Sequence, residues 1–333
     1  MTALSGIYKR LESHGHGAQV LYALATMGAI AFTLAWLRPS RPARYKLVPP
    51  AGERVLVVGA SSGVGKEVAR MYASRGARVC LTGRRFDELQ TARAECAQLG
   101  AADARAIRMD AADAGDLLHV RDELEKHWGG IDTVVISAGV IALKPLLAVA
   151  GLNHDIQTNG WKPAPEMTRK GIEHTQEVAL RAVRGNLLGP MSTLLTFLPM
   201  LSTTSMRPVV LLLGSTASLI PAPTLTIYAA TKSASLTLFR GLSIEHPEVK
   251  FCSVLPGTIE GSFQSSAVDG GTIRESLENA LTRKTVASVI VRAVDNETRT
   301  TVLPTEHLLA FIFRFIWPSY IDGLARKQYK FGH

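Results

Sequence analysis

Residues 54 to 75 constrain the fold of this chain more than any other stretch. Arg54 to Val58 (RVLVV) is a short β-branched run, Gly59-Ala60-Ser61-Ser62-Gly63-Val64-Gly65 follows, and Lys66 to Arg75 has helical character. Strand, glycine turn and helix in that order let the backbone approach a pyrophosphate and aim N–H groups at it. Three glycines alone say little. Arg78 to Thr82 (RVCLT) supplies the second strand that a βαβ crossover requires. The reading is a dinucleotide site on Gly59, Ser61, Ser62, Gly63, Val64 and Gly65.

The end of the second strand selects the cofactor. An Asp or Glu there accepts from a ribose hydroxyl and would repel a 2′-phosphate, whereas this chain has Gly83-Arg84-Arg85. A guanidinium pairs with a phosphate in bidentate geometry, so Arg84 and Arg85 point to NADP(H). A third strand is expected over Ala106 to Met109, ending in Asp110-Ala111, and a fourth over Thr133 to Ile136, ending in Ser137-Ala138-Gly139. A helix over Asp113 to His127 joins them. Successive βα units of this length imply a parallel sheet wrapped by helices on both faces.

Tyr228-Ala229-Ala230-Thr231-Lys232 opens an amphipathic helix, Ile227 to Glu245. The i,i+4 spacing puts the phenol and the ammonium on one face, where the cation is expected to lower the phenol's pKa and fit it for proton transfer. Thirteen residues upstream, after the strand Pro208 to Leu213, stands Ser215, whose hydroxyl can hydrogen-bond a reacting oxygen.

The GASSGVG turn, the Ser215 to Tyr228 spacing, YAATK and the later Leu255-Pro256-Gly257 resemble the short-chain dehydrogenase/reductase superfamily, over roughly residues 52 to 260. The resemblance implies an α/β catalytic domain with a Rossmann-type doubly wound parallel sheet. It implies Tyr228 as proton donor or acceptor, Lys232 as the group that tunes it and holds the nicotinamide ribose, and Ser215 as the anchor of the carbonyl oxygen. Asn186, in RGNLLGP, matches the fourth family residue, which supports a water-mediated proton path to the lysine. Asp110 would contact adenine, Ala138 and Gly139 would line the cofactor, and Pro256, Gly257 and Thr258 would border the nicotinamide. Ser137 stands where the family usually has Asn, and a serine can still donate one hydrogen bond there. The 47 positions between Gly139 and Asn186 look longer than the family norm and include NHDIQTNGWKPAPEMTRKG, read either as a lid or membrane-facing loop or as a neutral surface insertion.

The two ends carry a different message. Ala18 to Leu37 is twenty residues without a formal charge, and at ~1.5 Å per residue it matches the roughly 30 Å of a bilayer's hydrocarbon. It is read as an uncleaved transmembrane anchor. The formal charge is +9, and Arg38, Arg41, Arg44, Lys46 and Arg54 follow the span with a single acid, Glu53. That excess suits an anionic membrane surface and places the catalytic domain in the cytoplasm; no recognised nucleic-acid motif is present. His307 to Trp317 is apolar, too short to span, and is followed by Arg326, Lys327 and Lys330. It could lie in the interface or pack on the domain or a partner subunit. The expected organisation is a flank at 1–17, the anchor at 18–37, a Pro-rich basic linker at 38–52, the catalytic domain at 53–303 and an apolar, basic tail at 304–333.

Cys80, Cys96 and Cys252 fit neither a disulfide framework nor zinc spacing and read as small buried hydrophobes. His154 and His174 have no zinc-site company, so no metal is expected. An anchor combined with NADP(H) preference resembles the membrane-bound branch that includes 11β-hydroxysteroid dehydrogenase-like enzymes and 3-ketodihydrosphingosine reductase. The expectation is an NADP(H)-dependent enzyme on the endoplasmic reticulum membrane, reducing a lipophilic ketone to a secondary alcohol, with a homodimer implied by the family. A reductase of soluble carbonyls and a non-catalytic NADP(H)-binding membrane scaffold are the rivals.

Overall fold

β1 (Arg54–Val58) follows from a short apolar run buried on both faces, as do the strands at the centre of the sheet, the pattern of a parallel sheet covered by helices. The computed structural model describes residues 44–152, 166–261, 263, 267–272, 280–329 and 331, with Thr26 and Gly28 ahead of them. The chain divides into Met1–Pro42 and Ala43–His333. Of the first unit only Thr26 and Gly28 are described, both helical and exposed.

In the second unit α1 (Arg44–Leu47) precedes β1, and α2 (Gly63–Ala73), β2 (Arg78–Gly83), α3 (Phe86–Gln98), β3 (Asp103–Arg108), α4 (Ala114–Trp128) and β4 (Thr133–Ile136) follow in alternation. Then come α5 (Leu146–Val149), α6 (Arg169–Val183), a π-helical turn (Arg184–Leu188), α7 (Gly189–Thr204), β5 (Val209–Leu213), α8 (Thr226–Glu245), β6 (Lys250–Pro256), α9 (Arg283–Asp295) and β7 (Thr300–Leu303). Two more helices, α10 (Glu306–Ile316) and α11 (Pro318–Gln328), end the described chain. All pairings are parallel, in the order β3-β2-β1-β4-β5-β6-β7. This is the doubly wound sheet expected from the sequence.

One apolar layer joins α2, α3 and α9 to the sheet through Val68, Tyr72, Leu89 and Ile290. The opposite layer joins α4, α7 and α8 through Leu117, Leu124, Phe197 and Phe239. After β3 the chain returns to the other side of β1, so β1 and β4 flank a switch point, and a crevice opens beyond their carboxyl ends. The three cysteines are buried and free.

Several boundaries differ from the expectation. β3 begins at Asp103 rather than Ala106, because this edge strand is only half buried and carries Asp103, Arg105 and Arg108 among its apolar residues. Within the stretch read as a linker, Arg44–Leu47 forms a helical turn. Arg44 and Arg54, counted among the membrane-facing charges, are turned inward: Arg44 pairs with Glu53 and Arg54 with Asp132, both at 2.8 Å. A guanidinium so paired cannot serve an anionic surface. The TRKG end of the irregular segment starts α6, capped by Thr168, whose hydroxyl accepts from Gly171 N; residues 153–165, with His154, lie outside the described residues. His174 is exposed.

Among the described residues no helix is long and apolar enough to cross a membrane. Apart from Thr26 and Gly28, the segment 18–37 lies outside them. The C-terminal apolar run forms α10, which has no buried residue, and breaks at Trp317 before Pro318.

Candidate active site

The glycine turn is shaped by its neighbours. Gly59 has φ +91°, and a Cβ there would lie 2.6 Å from Ala138 N, so a side chain is excluded by backbone conformation and by the loop after β4. Gly65 lies so close to Gly59 O that a Cβ would come within 2.3 Å. Together these contacts bring the start of α2 against the sheet's switch point. No side chain caps that helix; the Ser62 hydroxyl instead accepts from Arg85 Nη2 at 2.5 Å, and Ser61 accepts from the same nitrogen at 2.8 Å. The first turn therefore faces a cavity of about 640 Å³, within the range of small-molecule sites.

The cavity brings together nearly all the residues singled out in the sequence. Ser61, Ser62, Gly63, Val64, Arg84 and Arg85 line one end, with Gly59 and Gly65. Asp110, Ala138, Gly139, Pro256, Gly257 and Thr258 line it as well, and so do Ser215, Tyr228 and Lys232. Asp110 Oδ1 accepts from Ala112 N at 3.0 Å and Oδ2 from Arg184 at 3.2 Å. Burial would raise its carboxyl, but the Ala112 N–H and the Arg184 guanidinium outweigh that and hold it below the usual range. Ser137 donates to Val58 O at 2.8 Å, supplying the hydrogen bond expected of it.

The exception is Asn186, which lies behind the wall. It is buried in the π-helical turn, where its side chain closes three hydrogen bonds. Oδ1 accepts from Val140 N at 2.8 Å, and Nδ2 donates to Val140 O at 2.9 Å and to Thr231 Oγ1 at 3.0 Å. It thus joins the β4 loop to the helix that carries Tyr228 and Lys232. π-Turns concentrate at functional sites.

The chemical centre departs from the sequence argument in one respect. Tyr228 and Lys232 do share a helical face, with Nζ 6.0 Å from the ring centroid, but Nζ donates to Leu213 O at 3.1 Å. Burial pushes the Tyr228 phenol up to about 12, opposed by a hydrogen bond with Ser215, and burial lowers Lys232 to about 8. The expected acidification of the phenol by the lysine is therefore not what this arrangement produces: desolvation dominates at both groups. At neutral pH the phenol keeps its proton and the ammonium its charge.

Sequence reasoning missed the other wall. Ile141, Leu143, Ala217 and Leu225 cluster with Tyr228, and Tyr329 packs against them from the end of the described chain. Asp269, buried, fixes this wall: Oδ2 accepts from Leu143 N and Lys144 N, each at 2.7 Å, and Oδ1 from Gly271 N at 2.9 Å. Its Asp-Gly-Gly context signals a turn, and nothing in the sequence pairs it with Leu143.

A parallel sheet with a glycine turn at its switch point and a buried Ser–Tyr–Lys cluster at its carboxyl edge defines a nucleotide-dependent dehydrogenase. The model of the short chain dehydrogenase family matches residues 53–270, and the chain belongs to that family. It is 27% identical over 293 residues to the 11-beta-hydroxysteroid dehydrogenase A of Sesamum indicum, covering 84% of this chain and 76% of that protein. It is 30% identical over 213 residues to the 11-beta-hydroxysteroid dehydrogenase-like 4A of Arabidopsis thaliana, covering 63% of this chain and 62% of that one. Among solved structures, an alcohol dehydrogenase from the archaeon Thermococcus sibiricus, complexed with 5-hydroxy-NADP, superposes with a TM-score of 0.60 at 23% identity, covering 75% of this chain and 95% of the other. That likeness concerns the fold.

Proposed function

We propose that this oxidoreductase uses NADP(H) to interconvert a carbonyl and a secondary alcohol on a lipophilic substrate, and that it works as a reductase. The observation that carries the reading is one cavity lined by basic and by apolar residues together with the buried Ser215, Tyr228 and Lys232. Arg84, with Arg85 braced on Ser61 and Ser62, suits a 2′-phosphate. The open first turn of α2 suits the pyrophosphate. When bound, the cofactor supplies the hydride. Ser215 anchors the carbonyl oxygen, Tyr228 gives it a proton, and Lys232 holds the ribose. A phenol still protonated at neutral pH can act as the donor that reduction requires. Ile141, Leu143, Leu225 and Tyr329 offer the substrate an apolar wall, and the names of the hydroxysteroid dehydrogenases it is similar to agree with a lipid ketone.

The same reading places the enzyme on the endoplasmic reticulum membrane. The uncharged run 18–37 serves as anchor, the catalytic domain is cytoplasmic, and two copies pair as the family resemblance implies. Leu309, Ile312, Phe315, Ile316 and Trp317 are each half exposed or more and give α10 an apolar face for the interface. NADPH oxidation measured against a panel of lipid ketones and soluble carbonyls tests the activity. Turnover of soluble carbonyls alone would favour the rival substrate class, and cofactor binding without any turnover would favour a scaffold. Carbonate extraction tests the anchor, and release of the full-length protein would remove it. Protease added to sealed microsomes tests the topology, which fails if the catalytic domain is protected without detergent.

A further inference from the structure

Thr224 stands apart from the rest of the chain in two independent ways. Its backbone has φ +69°, a region that β-branched residues seldom enter; among the described residues the only other non-glycine with positive φ is Glu297, in the turn after α9. It is also buried, at 4% exposure, and it lines the cavity four residues before Tyr228. The local cause is the turn Ala222-Pro223-Thr224-Leu225, in which Leu225 N donates to Ala222 O at 3.3 Å, leading into α8. A glycine would adopt this conformation without strain. A threonine here pays a conformational penalty that gains the protein no internal hydrogen bond, since among the described residues its hydroxyl has no partner. Strained residues of this kind cluster at ligand-binding sites.

We infer that Thr224 is a substrate-contacting specificity residue, whose hydroxyl hydrogen-bonds a second, neutral polar group on the substrate, such as a hydroxyl or a further carbonyl. This rests on the lipophilic-carbonyl reading above and narrows it to a ketone bearing another hydrogen-bonding group. The next residue, Leu225, belongs to the apolar cluster with Ala217 and Tyr329, so one hydroxyl beside it orients a ligand that greasy contacts alone would leave free to rotate. A hydroxyl both donates and accepts but brings no charge to pair with a buried anion, which suits it to a neutral partner.

The test compares two rigid lipophilic ketones that differ by a single added hydroxyl, assayed with NADPH on the full-length enzyme. Wild type is expected to show a lower KM for the hydroxylated ketone. Thr224→Val, which keeps the shape, should erase that preference by raising its KM about three- to tenfold, the range of one neutral hydrogen bond, while the plain ketone's KM and both kcat values stay within about twofold. Thr224→Ser should restore the preference. Thr224→Gly should also lose it, yet melt at a higher temperature than wild type, a combination that a purely structural threonine would not give. A preference unchanged in Thr224→Val, or absent from wild type, overturns the assignment while leaving the lipophilic-ketone reading intact. Failure of wild type to reduce either ketone overturns both.

Discussion

Arg44 and Glu53 meet at 2.8 Å with side chains 1% and 0% exposed, at the edge of the sheet opposite the cavity. The guanidinium also donates to Thr133 Oγ1 at 2.7 Å and to Asp132 O at 3.3 Å, so one side chain ties α1 to the starts of β1 and β4. Glu53→Ala leaves a buried cation without its carboxylate, which costs about 3–5 kcal/mol when the partner cannot escape to water. Chemical denaturation should show this with cofactor affinity largely kept in the folded fraction; a loss below ~1 kcal/mol would mean that the guanidinium finds solvent.

Tyr228→Phe removes the proton and little volume. Turnover should fall at least a hundredfold with cofactor affinity nearly unchanged. Retention of more than about a tenth of wild-type kcat, a barrier change under ~1.4 kcal/mol, would rule out Tyr228 as the proton donor.

The two buried groups set the pH profile. Reduction as proposed needs a protonated Tyr228, which persists to about 12, and a charged Lys232, which is lost above about 8. Rising pH therefore removes the lysine's charge first, and kcat/KM for reduction should be level below about 8 and fall above it. A profile that stays level to about pH 10 would show that Lys232 keeps its proton or that its charge is dispensable.

Arg84→Asp sets a carboxylate where a 2′-phosphate is expected. NADPH should bind at least tenfold more weakly, and NADH should change little, in a fluorescence titration. Equal losses for the two cofactors would mean that Arg84 acts through the fold of the turn.

Asp269→Ala frees three backbone N–H groups at 2.7–2.9 Å from its oxygens. The cavity wall at Leu143 should loosen, raising KM several-fold with kcat within about threefold, at a cost of about 1–3 kcal/mol in stability. An unchanged KM would show that the wall is held from elsewhere.

The cofactor turn and the Tyr228–Lys232 pair were legible because their signals are local: glycines between a strand and a helix, and two side chains one helical turn apart. β3 starts three residues ahead of its expected first residue, because an edge strand has no continuous apolar run to mark it. Arg44 and Arg54 read as surface charge because a buried cation is recognised only through its partner, and Arg54 meets Asp132 across 78 positions. Asp269 and Leu143 are 126 positions apart, so only the folded sheet puts them in contact. The weak acidity of Tyr228 escapes the sequence for a related reason: spacing shows which groups are near, whereas burial depends on the whole cavity.

The segment between β6 and α9 is rooted by a parallel bridge, Ile259 to Leu281, in which Glu260 N donates to Leu281 O and Leu281 N to Thr258 O, each at 2.9 Å. The stretch it encloses is pinned a second time, where Asp269 accepts from Leu143 N and Lys144 N and Val268 N donates to Ile141 O. A cassette exchanged here must carry that inner anchor with it; the spans between the two anchors can vary in length cheaply, since doubling a loop costs only about 0.6 kcal/mol in closure entropy, and Ser215, Tyr228 and Lys232 lie outside the cassette. Transplanting the corresponding segment from a related dehydrogenase should then transfer substrate preference between scaffolds while leaving cofactor choice with the host.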